Sequence, residues 1–112
     1  MKKLLLISLC FPLLFSCDDY KGGVVKYEVE CMPAGFMITM INESGNISQR
    51  DIPSETATYS FDGKYGDFVS ISAQADNENA NISTKIYYKG KLIEESSSYG
   101  DYVIASVDGI LK

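Results

Sequence analysis

Few residues in this 112-residue chain could do chemistry, and the absences are informative. Histidine is missing altogether. That removes the commonest general base and metal ligand, and the usual partner of a nucleophilic serine. Zinc in any ordinary site lacks its ligands. Of the cysteines, Cys31 could act as a nucleophile only beside a base and with a depressed pKa. It shares the parity of Val25, Tyr27 and Val29, which reads as a strand's apolar face and places the thiol in the core. Paired carboxylates are the chemistry of glycoside hydrolysis. Glu28 and Glu30 share a strand face, whereas the adjacent Glu94 and Glu95 point to opposite faces. Nothing around either pair suggests a pocket that would shift a pKa, so both read as solvated polar surface. Asp76-Asn77-Glu78-Asn79 puts four oxygen-bearing side chains in a short span. It lacks the spacing, glycine and distal glutamate of a calcium loop, and reads as a turn. No catalytic residue, metal site or cofactor is expected.

Tyrosine is the one enrichment, with eight residues and no tryptophan. Tyr27 and Tyr59 fall on core-facing positions. Tyr65, Tyr87, Tyr99 and Tyr102 lie in turns or at uncertain parity, where exposed rings could form a platform for a glycan or a partner protein. Ordinary strand propensity is the plainer explanation of the same residues. Three Asn-x-Ser triplets, beginning at Asn42, Asn46 and Asn81, are read as chance.

The remaining reactive position is Cys17. Lys2 and Lys3 precede an apolar run from Leu4 to Phe15, interrupted by Ser8 and Pro12. That is the pattern of a secretory signal, too short for a bilayer span. The run ends in Leu14-Phe15-Ser16-Cys17, which resembles the lipobox of bacterial lipoproteins. The resemblance implies cleavage before Cys17, so that 1–16 is the signal peptide, and lipid on Cys17 as the membrane partner. Without Lys2 and Lys3 the chain carries 8 basic and 15 acidic residues, a net charge of −7. Such a balance argues against nucleic acid, and against side chains lying on an anionic lipid surface. Cys10 leaves with the signal and Cys17 carries lipid, so Cys31 has no disulfide partner and the domain must hold by packing.

Residues 17–23 read as the lipidated cysteine and a flexible tether, and 24–112 as one domain. Its pattern has period two. Val24–Cys31, Ala57–Phe61, Phe68–Ala75, Ile82–Tyr88, a strand holding Ile93, and Val103–Val107 alternate. Phe36–Ile41 is apolar almost throughout and reads as a central or doubly covered strand. Turn signals fall at short intervals, among them Asp62-Gly63, Lys89-Gly90, Tyr99-Gly100 and Asp108-Gly109. Tyr88-Lys89-Gly90-Lys91-Leu92 is the cleanest hairpin. About seven strands at this spacing predict an all-β, antiparallel, immunoglobulin-like sandwich.

The succession Val25-Lys26-Tyr27-Glu28-Val29, Gln49, Pro53, Tyr59-Ser60-Phe61, Gly66 to Gln74, and Ile86-Tyr87-Tyr88-Lys89-Gly90-Lys91 resembles MmpS-type transport accessory proteins. That implies an immunoglobulin-like sandwich outside the cytoplasm. The chain departs from that pattern in its lipobox and in having Cys31 alone in the domain, so the resemblance carries the fold and not the transport role. The lipobox context resembles small lipoproteins of Bacteroidetes-type bacteria, in which acids after the cysteine, here Asp18-Asp19, act in surface export. In enterobacterial systems an aspartate there favours the inner membrane. The outer membrane is preferred, the cell surface ahead of the periplasmic face. Three functions follow as expectations: a non-enzymatic binding or accessory domain in an envelope complex, a glycan-binding surface lipoprotein, or a small hydrolase. The residues name no specific partner and no oligomeric state.

Overall fold

The computed structural model describes residues 22–112, so the signal peptide, Cys17 and most of the tether lie outside the described residues. Eight strands follow in order: β1 (Gly23–Met32), β2 (Phe36–Ile41), β3 (Ile47–Ile52), β4 (Thr56–Gly63), β5 (Phe68–Ala75), β6 (Ala80–Tyr88), β7 (Lys91–Gly100) and β8 (Ile104–Ile110). They form two four-stranded sheets, ordered β4-β1-β6-β7 and β3-β2-β5-β8, with antiparallel pairing throughout. The architecture is the expected immunoglobulin-like sandwich, with a strand order of its own.

Alternation decides which faces meet. Val25, Tyr27, Val29 and Cys31 from β1 point inward with Ile82, Thr84, Ile86 and Tyr88 from β6. From the other sheet come Phe36, Ile38 and Met40 of β2 and Val69, Ile71, Ala73 and Ala75 of β5. Burying one such aliphatic side chain is worth about 1.5–3 kcal/mol, and here this packing replaces a disulfide. Tyr27 ties the layers together. Its ring meets Phe61 edge-on at 5.3 Å between centroids. Its hydroxyl donates to the Ile41 carbonyl at 2.7 Å and accepts the Ser70 N–H at 3.2 Å.

The structure corrects the expected strands in four places. β3 makes eight strands rather than seven. Its sequence Ile-Ser-Gln-Arg-Asp-Ile does not alternate, because an edge strand with both faces largely wet needs no apolar period. β2 is central as expected, but Met37, Thr39 and Ile41 are half-exposed, so only one of its faces is dry. The glycines of Asp62-Gly63 and Asp108-Gly109 sit within strands and not in turns. Gly63 is there for close approach: a Cβ on it would lie 2.5 Å from Leu111 Cδ1 and 2.6 Å from Val25 Cγ2, whereas one on Gly109 would meet Glu94 Cγ at an ordinary 3.6 Å. Gly100 likewise closes β7, and the turn follows it. The Lys89-Gly90 hairpin is as expected. Tyr88 pairs with Lys91 and both central residues have positive φ, 53° and 80°, matching the twist of the strands. Three residues further on, Ile93 is extra: Tyr87 opposes Leu92 but Ile86 opposes Glu94, a β-bulge.

Antiparallel pairing sorts the loops onto two ends. Gly22, which leads into β1, lies at what we call the entry end, with loops 42–46, 64–67 and 89–90 and residues 111–112. Loops 33–35, 53–55, 76–79 and 101–103 lie at the far end. β1 is ten residues long, so the ends stand about 30 Å apart at ~3.3 Å per residue.

Candidate interaction surfaces

The residues screened for catalysis are not assembled into a site. Glu28 and Glu30 project from the outer face of β1. Glu28 is 3.7 Å from the Lys26 ammonium and stands opposite Lys85, which in turn opposes Glu95. Acids and bases therefore alternate across an open sheet, and the shallow concavity of about 180 Å³ beside Glu30 includes no second carboxylate. Glu94 points the other way, toward Gly109, so Glu94 and Glu95 face opposite sides as the sequence predicts. Cys31 is in the core at 1% exposure, its thiol 3.4 Å from the Pro33 carbonyl. Burial, and then the negative charge of Asp76, push the thiol up from its ordinary pKa, which keeps it protonated and unreactive.

The four candidate tyrosines separate into different places. Tyr65 is in the entry-end loop 64–67 and half exposed. Tyr87 is half-buried on the outer face of β6, under the Lys26 ammonium at 4.5 Å from its ring centroid. Tyr99 lies opposite Asn81 near the far end, six residues along β6 from Tyr87, or about 20 Å at ~3.4 Å per residue. Tyr102 is in the far-end loop 101–103 and is exposed, as is Tyr99. A single four-ring platform does not form; Tyr99 and Tyr102 share an end.

That far end is built from loops of both sheets, laced by hydrogen bonds. The Asn77 amide donates to the Ala34 carbonyl at 2.9 Å, and the Asp76 N–H donates to Gly35 O at 3.1 Å. The Asn79 N–H donates to Asp101 Oδ1 at 2.9 Å, and the Tyr102 N–H to Asn77 O at 3.0 Å. The Gly35 N–H reaches Ser54 O at 3.2 Å. Four loops thus hold one another in place. Asn79 (φ 52°) and Tyr102 (φ 53°) take left-handed conformations here, which these bonds hold in place. The expected turn at Asp76–Asn79 is real, but its role as a stitch to loops 33–35 and 101–103 depends on topology and no local signal announces it. The far-end loops carry Glu55, Asp76, Glu78 and Asp101 and no basic residue. Among the described residues no group of three or more metal-ligating side chains converges.

The entry end differs in chemistry. Its loops carry Lys64, Lys89 and Lys112 against Glu43 and Asp67, with Lys91 at the start of β7. Two shallow concavities open toward this end. One of about 320 Å³ is lined by Ile41, Asn42, Phe61 and Phe68. The other, of about 400 Å³, lies between β7 and β8 around Tyr88, Glu94 and Ile110. Neither gathers a nucleophile with a base.

Fold and surfaces together define an all-β sandwich of eight strands that presents a stitched, acidic loop plateau. No family model matches the chain, and no curated protein matches it. Solved structures do. A protein from Parabacteroides distasonis, solved by NMR in its calcium-bound form, superposes with a TM-score of 0.53 at 16% identity, over 78% of this chain and 93% of that one. A domain of unknown function, DUF4425, from Bacteroides vulgatus gives 0.48 at 13% identity, over 80% and 95%. A DUF4425 family protein from Bacteroides ovatus gives 0.48 at 15%, over 80% and 94%. At these identities the likeness is one of fold, and the first comparison carries it.

Proposed function

We propose that this chain is a lipid-anchored, non-enzymatic binding or accessory domain of a bacterial cell-envelope complex, held through Cys17 and engaging its partner with the far-end loops. The observation that carries the reading is the far-end plateau: loops from both sheets, joined by hydrogen bonds, hold Tyr99, Tyr102 and four carboxylates at one end. Loops positioned by a rigid scaffold are where sandwich domains commonly bind. The address is the outer membrane, at the cell surface, with the lipobox and Asp18-Asp19 as its support.

Crosslinking in intact cells followed by capture of the chain tests this. Tyr102→Ala with Asp101→Asn is expected to abolish the captured species, while Glu28→Gln with Glu30→Gln leaves it intact. Capture that survives the loop changes refutes the far-end reading. For the anchor, Cys17→Ala is expected to end acyl labelling and release the protein from membranes.

A glycan ligand is the second reading, favoured by the two exposed rings at one end. It now rests on Tyr99 and Tyr102, since Tyr65 and Tyr87 lie elsewhere. A glycan array that binds the parent but not Tyr99→Ala with Tyr102→Ala supports it; an empty array removes it. The calcium of the Parabacteroides neighbour belongs to that protein. Among the described residues of this chain no three ligating side chains converge to hold such an ion.

A further inference from the structure

Net charge alone argues against any side-chain contact with an anionic membrane, but the folded chain separates its charges along its length. The chain enters β1 between lysines. Gly22 lies against the backbone of Gly63 and Lys64, and Gly23 against the Lys89 side chain. The Lys89 N–H donates to Val24 O at 3.0 Å, which fixes that lysine beside the entry point. Lys64, Lys89, Lys91 and Lys112 are all exposed, and the ion pair formed among the described residues, Lys26 with Glu28, uses none of them. At the opposite end the loops hold four acids and no base.

Exposed apolar side chains occur at both ends, with Met32, Tyr99, Tyr102 and Ile104 exposed near the far end. Val24, Ile47, Phe68, Leu92 and Ile110 are each within two residues of the entry end of their strands, at 44–74% exposure. They ring the lysine-bearing loops on the outer faces of both sheets. Lysines with aliphatic and aromatic neighbours are the composition of surfaces that sit at a lipid interface, whereas the exposed apolar side chains of the far end have acids and no loop lysine beside them. The chain between Cys17 and Gly22 is five residue steps long, so it reaches at most about 18 Å at ~3.6 Å per residue. That is less than the distance between the ends. It keeps the entry end within roughly two Debye lengths of the headgroups, where an anionic surface attracts lysine and repels the acidic far end.

We infer that the entry end is a second, non-covalent membrane contact: it docks on phosphate-bearing lipid headgroups and stands the sandwich upright, with the acidic loop plateau facing away from the bilayer. The inference rests on the lipid-anchor reading of Cys17 and adds an orientation to it.

The test uses the full lipidated chain in vesicles of phosphatidylcholine with or without phosphatidylglycerol, the lipid headgroups bearing a nitroxide quencher. A thiol-reactive fluorophore is placed at Asn46→Cys (entry end) or at Glu78→Cys (far end). Buried Cys31 stays unlabelled in the parent control. Quenching is expected severalfold stronger at residue 46 than at 78 when phosphatidylglycerol is present. Lys64→Glu, Lys91→Glu and Lys112→Glu together, with an unchanged circular dichroism spectrum, are expected to erase that difference. Equal or reversed quenching in the parent overturns the orientation, and so does a difference that survives the triple variant. A chain that does not float with vesicles at all overturns the anchor reading instead, and this inference with it.

Discussion

The two ends of the sandwich are held together by different physics. At the entry end, Leu111 is fully buried and plugs the gap between the sheets beside Val25 and Gly63. Its backbone is bonded on both sides, from Gly66 N–H at 2.7 Å and to Asp67 O at 2.9 Å. Tyr27 spans the same region, from β1 to the end of β2 and to β5. At the far end no large side chain plugs the loops, and polar bonds such as that from Asn77 to Ala34 join them. Packing resists change in steps of several kilocalories, whereas a solvent-edge hydrogen bond contributes about 1 kcal/mol. The contrast teaches that a small disulfide-free domain can fix one end by packing and the other by hydrogen bonds between its loops.

That contrast can be broken in order of expected effect. Leu111→Ala is expected to cost roughly 2–5 kcal/mol in urea unfolding, since it empties a packed site. A cost below that of any far-end change would end the distinction. Tyr27 comes next. Burial holds its phenol neutral and pushes its pKa from 10.0 to about 12, although the Ser70 N–H pulls the other way. The folded state then binds this proton more tightly than the unfolded state does, so its contribution is full below pH 10 and is lost as pH rises toward about 12. Unfolding free energies measured across that window are expected to fall with pH, and Tyr27→Phe to flatten the fall. Asn77→Ala should cost about 1 kcal/mol and speed hydrogen exchange in loops 33–35 and 76–79, with the entry end unchanged. Smallest of all, millimolar calcium is expected to leave the melting temperature where it is, because no three ligating side chains converge among the described residues. A rise of several degrees would mean that Asp76, Glu78 and Asp101 close on the ion, and that the far end is organised by more than hydrogen bonds.

Much of the core was legible because alternation was complete where a strand has one wet face. Val25 to Cys31, Val69 to Ala75 and Ile82 to Tyr88 were readable position by position, and all face inward. β3 was not, because its exposed edge imposes no period. Glycine misled for a definite reason. Sequence does not distinguish a glycine needed for positive φ, as at Gly90, from one needed because a Cβ would strike Leu111, as at Gly63. Net charge conceals its own distribution on similar grounds. A net value of −7 is a sum, and only the alternation of strand direction reveals that lysines and acids are collected at opposite ends. The far-end plateau was out of reach because its bonds join residues 43 apart, as from Asn77 to Ala34.

The bulge at Ile93 has a consequence for how such a surface changes over generations. Counting back from the Lys89-Gly90 hairpin with Ile93 paired in the ladder and not bulged, Tyr99 would oppose Ala80 and turn into the interior; with the bulge, Gly100 takes that place and Tyr99 points to solvent. Deleting Ile93 itself would remove the bulge and keep every later pairing, with Tyr99 still opposite Asn81. A lineage could therefore gain or lose one residue here by making or unmaking a bulge, and keep the same side chains on the outer rim of the far end.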